Sequence, residues 1–319
     1  MTDMRKLTKG FLIFGVVSTI LGFIMIIAGA QSNGIQSLLA MSKDPVYDNR
    51  IEEVTFGSEV EKLDLTLEDH SLTITESVDD KIHISYHPSV SGRHDLTTGM
   101  SDKTLSVTDK QASQHRFLGS GIEGLLRIAS SYSHRFDEVV LSLPKGRTLK
   151  AITVSANRGQ TTIINATLEN ATLNTNGYLL RIEGSRIKNS KFTTPNIINI
   201  FKTELTDSQV KTEGEHLHVE NIQIHGKVEL EARSDLNLIL TKEERQRINL
   251  NLTAKHGSII HFTREGRHSV KTGEDNQYER LTNPYKTEKA DVKNQLIART
   301  DGDIFLLKDE DQSSPSTNH

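Results

Sequence analysis

The sequence predicts an all-β protein: a parallel β-solenoid-like stack with coils of about 18–19 residues, capping or antiparallel strands, and one transmembrane helix in front. Three observations predict it. A short phrase recurs at a fixed step, apolar residues inside each repeat fall at every second position, and a long uncharged apolar run stands near the N-terminus.

The repeat comes first because it decides the architecture. "RIKNSKFTT" at Arg186–Thr194 and "ELTDSQVKT" at Glu204–Thr212 follow one pattern of apolar, Asn or Asp, Ser, apolar and Thr. The opening apolar residues form the series Leu168, Ile187, Leu205 and Ile224, with steps of 19, 18 and 19. A second series, a few residues later, reads Leu173, Phe192, Val210 and Val228. Apolar pairs precede the phrases at Leu180/Ile182, Ile198/Ile200 and Leu217/Val219. Alternation of this kind is strand spacing, and no window holds helical spacing of useful length. One coil cannot bury its apolar row alone, so neighbouring coils must stack to supply the core. The corners are predicted at Asn170-Ala171, Asn189-Ser190, Asp207-Ser208 and His225-Gly226, since Asn and Asp tolerate left-handed backbone and bond their own chain. A meandering antiparallel sandwich with coincidental spacing is the alternative.

The N-terminus sets the expected location. Gly10–Ala30 is 21 residues without a charge, and a helix of ~20 apolar residues spans a hydrocarbon core about 30 Å thick. Arg5, Lys6 and Lys9 precede it, and no charge follows until Lys43. The positive-inside rule then places residues 1–9 in the cytoplasm, 10–30 in the membrane as a signal-anchor, and the rest outside the cell. A cleaved signal peptide competes with this, because "AGA" at Ala28–Ala30 has the form of a cleavage site. Residues 31–50 read as a spacer.

The extracellular β-repeat domain is expected over residues 51–307. "EKLDLTLEDHSLTI", "DKIHISYHP" and "DEVVLSLPKG" alternate as strands, the last ending at Pro144 with a Lys-Gly turn. "NLNLTAKHGSIIHF" at Asn249–Phe262 and "QLIARTDGDIFLL" at Gln295–Leu307 match each other as further coils or caps, aligning Leu252 with Ile297 and Gly257 with Gly302. Residues 264–293 lack apolar periodicity and are expected to project as a polar loop, and 308–319 is a polar tail.

Composition narrows the function classes. Apolar residues make up 35% and aromatics 5%, with no Trp, which suits a core of Leu, Ile and Val ladders. Net charge is −4 with pI about 6.4, so a basic nucleic-acid-binding face is not expected. There is no cysteine, hence neither a disulfide frame nor a thiol nucleophile.

These features together resemble a known family. A signal-anchor, a "VVLSLPKG" strand, a turn-rich β-repeat core and a closing "TDGDIFL" strand are similar to the β-strand-repeat "putative adhesin" domain family of unknown function. The single-span layout is similar to membrane-anchored proteins encoded beside Lia-type envelope-stress regulators in Gram-positive bacteria. The resemblance implies an adhesion or stress-related envelope role and carries over no catalytic residue.

The remaining motifs assign no site. "GSGIEG" at Gly119–Gly124 has dinucleotide-loop spacing but no βαβ surroundings, so no nucleotide is expected. His216 and His218 share a strand face, with His225 following, yet a metal wants three or four converging ligands. "DGD" at Asp301–Asp303 lacks the rest of a calcium loop and reads as a hairpin turn. Glu183, Glu204, Glu213 and Glu215 are scattered among Lys and Arg. The sequence therefore predicts no catalytic residue, no metal and no cofactor. Expected partners are the membrane, crossed once, with a membrane protein or a wall polymer. Three functions remain: a non-enzymatic display surface for adhesion or stress sensing, an accessory regulator acting through its membrane helix, and a polysaccharide-active solenoid enzyme. Gly15, Gly22 and Gly29, seven apart, give one helix face room for close packing and suit the second of these.

Overall fold

The computed structural model describes residues 18–19, 50–68, 70–88, 95–109, 138–262 and 278–308. The apolar run at 10–30, apart from Ser18 and Thr19, lies outside them, as do the spacer up to residue 49, the Gly119–Gly124 motif and residues 309–319. Among the described residues no helix is long and apolar enough to cross a membrane.

The described chain is all-β with mostly parallel pairing. It enters through β1 (Glu52–Phe56), β2 (Lys62–Leu67), β3 (Ser71–Glu76), β4 (Ile82–Tyr86), β5 (Leu96–Ser101), β6 (Thr104–Asp109) and β7 (Glu138–Leu143). Regular coils follow. The first is β8 (Ala151–Ala156), β9 (Gln160–Ile164) and β10 (Thr167–Glu169), and the second β11 (Ala171–Thr175), β12 (Leu179–Glu183) and β13 (Arg186–Lys188). The third is β14 (Lys191–Thr194), β15 (Ile197–Phe201) and β16 (Glu204–Thr206), and the fourth β17 (Gln209–Thr212), β18 (Leu217–Glu220) and β19 (Gln223–His225). A fifth begins with β20 (Lys227–Ala232) and β21 (Leu236–Leu240), then replaces its third strand by a short helix, α1 (Lys242–Arg247). Each coil has three sides, so stacking makes three sheets of 12, 11 and 4 strands.

Alternation explains why these segments stack. In β12 and β15 the residues Leu180, Ile182, Ile198 and Ile200 are fully buried, while Arg181 and Asn199 between them point out. Parallel register brings like onto like. Leu168, Ile187, Leu205 and Ile224 face one another across β10, β13, β16 and β19, as the repeat predicts. Fully burying each such side chain contributes about 1.5–3 kcal/mol.

The second predicted ladder needs a correction at its last rung. Leu173, Phe192 and Val210 pair in register, but the next partner is Leu230 and not Val228. One residue, Lys227, is added after the corner of this coil. Val228 therefore follows on behind the buried corner residue Ser208, and both Val228 and Leu230 stay inside. Period-two spacing cannot separate those choices, because both residues have inward parity.

The stack departs from chain order at both ends. β2 lies between β6 and β8, and β3 between β7 and β9, so the pair β2–β3 is clamped between strands that come later in the chain. After α1 come β22 (Asn249–Ala254), β23 (Ile259–Phe262), β24 (Tyr278–Leu281), β25 (Tyr285–Lys286), β26 (Gln295–Thr300) and β27 (Ile304–Lys308). The final pair β26–β27 slots between β20–β21 and β22–β23. Buried His70 and Asp109 join the loop after β2 to the end of β6 at 3.2 Å.

Three further expectations change here. Part of the stretch assigned to a projecting loop is strand: Tyr278–Leu281 pairs antiparallel with β23, and Tyr285–Lys286 with β22. Asp301–Asp303 is a coil corner and not a hairpin turn, since β26 and β27 belong to different sheets. Leu252 faces Ala298, one place beyond the aligned Ile297, although Ile259 and Ile304 do match.

Antiparallel strands close the ends. β1 pairs with β4, and His83 fastens it: Nδ1 lies 2.6 Å from Glu53 on β1 and Nε2 2.9 Å from Asp79. Hydrogen bonds to Asp79 and then Glu53 raise the His83 imidazole above its ordinary value. A raised folded-state value means the clamp is complete below about pH 6.5, the free-imidazole value, and is lost as pH climbs through the folded one. Amide exchange at Val54 and Phe56, corrected for its intrinsic pH dependence, should therefore accelerate from acid to alkaline pH. His83→Gln should remove that dependence.

Candidate binding trench

Two polar corners per coil shape the surface. After the strands of the 12-stranded sheet the chain turns at Asn165, Gly184, Lys202 and Asn221, all with positive φ. After the four-stranded sheet it turns at Asn170, Asn189, Asp207 and Gly226, also positive. The second set stands where the repeat placed its corners. At the first set each backbone N–H donates to the next coil, from Asn165 to Glu183, Gly184 to Phe201, Lys202 to Glu220 and Asn221 to Ile239, at 2.9–3.2 Å. Buried hydroxyls finish the turn, with Ser185 donating to the Glu183 carbonyl and Thr203 to that of Phe201.

The first set of corners borders a groove of about 590 Å³ that runs along the stack over the four-stranded sheet. Its floor carries one outward side chain per coil: Thr167, Arg186, Glu204 and Gln223. Glu76 lines it, and so do Thr241, the N-cap of helix α1, and Glu244 within that helix. That helix forms because Thr241 and Glu244 make a capping box, each side chain bonding the other's backbone N–H.

The charges in the trench are unevenly satisfied. Arg186 lies 3.6 Å from Glu204, which also has His225 at 3.6 Å. Lys202 is exposed and makes no ion pair among the described residues. Its φ of 47° is costly for a side chain without a local hydrogen bond to offer, unlike Asn or Gly at equivalent corners. Among the described residues the buried Oδ1 of Asn221 has no hydrogen-bond partner. One amide, hydroxyl or charged group per coil can thus meet an extended ligand at successive rungs about 4.8 Å apart.

The residues weighed in the sequence do not converge. His218 sits on the 12-stranded sheet with Leu217 and Val219 turned inward, His216 stands just before that strand, and His225 belongs to the four-stranded sheet. His218 approaches Glu220 at 3.2 Å and the Phe201 ring at 5.4 Å. Glu183 pairs with Arg181 at 2.5 Å and Glu213 with Lys211 at 3.6 Å. Among the described residues no three His, Cys, Asp or Glu are grouped as a metal would require. A second groove of about 570 Å³ follows a corner of the 11-stranded sheet, where Lys211 pairs with Glu231 at 3.2 Å, Lys255 with Asp301 at 3.8 Å and Arg299 with Glu229 at 3.8 Å, while Arg233 is exposed.

The family model described as Toastrack DUF4097 matches residues 60–307. Among curated proteins none matches the chain. A "putative cell adhesion protein" from Clostridium sporogenes is 12% identical, with TM-score 0.28, covering 82% of this chain and 100% of that one. A "putative adhesin" from Bacteroides fragilis is 9% identical at TM-score 0.36, covering 82% and 98%. A "putative lipid binding protein" from Parabacteroides distasonis is 11% identical at TM-score 0.35, covering 83% and 98%.

Proposed function

This chain belongs to the Toastrack DUF4097 family, and we propose that it is a non-enzymatic, membrane-anchored envelope protein that binds an extended polar wall polymer along its trench. The observation that carries this is the trench's construction. Each of four successive coils contributes one corner residue and one floor residue to a single continuous groove. A repeating receptor of this kind suits a repeating ligand, with affinity spread over many modest polar contacts.

Anchoring is supported by the 21 uncharged residues Gly10–Ala30 and the basic residues before them. Protease added to wall-stripped cells should digest the chain beyond Ser42 and leave a membrane fragment. Protection of the full-length chain would contradict anchoring and leave the trench unaffected. An accessory role in envelope-stress signalling is the second reading, favoured by the Gly15, Gly22 and Gly29 face of the same segment.

Lys202 provides the test of the trench. Backbone strain at a non-glycine residue costs on the order of 1 kcal/mol, and such strain gathers at functional sites. Lys202→Asn relieves it, so stability should rise by about 0.5–1 kcal/mol. Sedimentation with insoluble wall material should meanwhile fall several-fold, and further with Arg186→Gln. Undiminished sedimentation by the double variant would remove the trench from the account.

A further inference from the structure

The sheet ends differ in how they are protected. A terminal strand leaves backbone donors and acceptors open to another chain, and proteins blunt such edges with charge or shortness. β1 carries Glu52 and Glu53, and β24 carries Glu279 and Arg280. β10 and β19 have three residues each and β25 has two. Among the described residues the edge strand β5 has neither defence. Its six residues, Leu96-Thr-Thr-Gly-Met-Ser101, bear no charge, and all but Leu96 are exposed.

We propose that β5 is a pairing edge for a second copy of this chain, forming an antiparallel β5–β5 seam about a two-fold axis at Thr98. Self-pairing places each residue against its own sequence, so a charged edge such as β1 would oppose like charges. β5 meets no such penalty. A two-fold normal to the sheet requires one residue to face its own copy. With Thr98 there, Leu96 of each molecule faces Met100 of the other. Both lie on the core side, since β6 sets Met100 opposite buried Leu105 and Thr98 opposite buried Val107. The seam would therefore cover Met100, which is 45% exposed, twice over. On the outward face Thr97, which continues the row Thr66 and Thr108, would meet Gly99 of the other molecule, so no like charges oppose there either.

The pairing is independent of what the trench binds. Two six-residue strands bury less than the ~1,200 Å² of stable complexes, so the dimer is reversible and must be trapped. Because the chain has no cysteine, single replacements report single positions. The full chain in mild detergent is oxidised as Thr98→Cys, Thr97→Cys or Thr172→Cys, with melting curves to show that each is folded. Directly opposed strand residues have Cβ atoms close to disulfide range. Thr98→Cys should thus cross-link about tenfold faster than either control, and adding Met100→Lys should cancel the advantage. Equal rates at the three positions, or a Thr98→Cys rate unchanged by Met100→Lys, would overturn the seam.

Discussion

Leu205→Asp should prevent folding or cost about 4–5 kcal/mol, whereas His218→Ala should change stability by no more than about 0.5 kcal/mol. Leu205 is fully buried in the four-stranded sheet, with Ile187 on one side and Ile224 on the other. An aspartate there has no partner to satisfy it, so it must ionise in an apolar stack or take up a proton at a cost. The milder Leu205→Ala leaves a cavity in the same ladder and should cost about 2–5 kcal/mol. His218 loses only a contact with Glu220 and an edge of the Phe201 ring. Thermal melts of the three variants check the ranking, and the opposite order would reverse the assignment of inside and outside.

Ending the chain at Asn294 should have an effect of similar size. In a stack built in chain order, losing the last coil merely shortens the array. Here β26–β27 is packed on both sides, and Leu296, Ala298, Ile304 and Leu306 are all buried between earlier coils. Their removal strips cover from Leu230 and Leu238 below and from Leu252 and Ile259 above. The lost burial is on the order of 5–10 kcal/mol before relaxation. Hydrogen exchange should then rise across Asn249–Phe262 and Tyr278–Lys286, and also along β20 and β21. Protection retained in Asn249–Phe262 would show that the inserted pair is not what holds that end.

The same clamping explains which parts of the fold could be read from the sequence. From Leu168 to Ile224 each coil follows the last without insertion, so the step of 18 or 19 stays visible and predicts the register. At the ends a coil's neighbours in space are far apart in the chain. β2 pairs with β6 and β8, and no period links Leu63 to Leu105 and Ile152. The trench was only half legible. Its second-corner counterparts Asn170, Asn189 and Asp207 announce left-handed turns, but Lys202 at such a turn contradicts its own propensity and is seen only in the folded chain. The helix α1 buries none of its residues, so it has no apolar periodicity to find. Thr241 followed by Glu244 was its one signal, a capping box without the apolar run that usually follows.

The central claim, a repeating trench that receives a repeating polymer, is tested most directly by ligand length. Fragments of wall glycan, graded by size, would be titrated against the purified full chain by calorimetry, with Lys202→Asn in parallel. Four rungs spaced about 4.8 Å apart span roughly 14 Å. Affinity should climb with fragment length until that span is filled and then level off, and Lys202→Asn should lower the plateau. Affinity independent of length, or a plateau untouched by Lys202→Asn, would contradict the account.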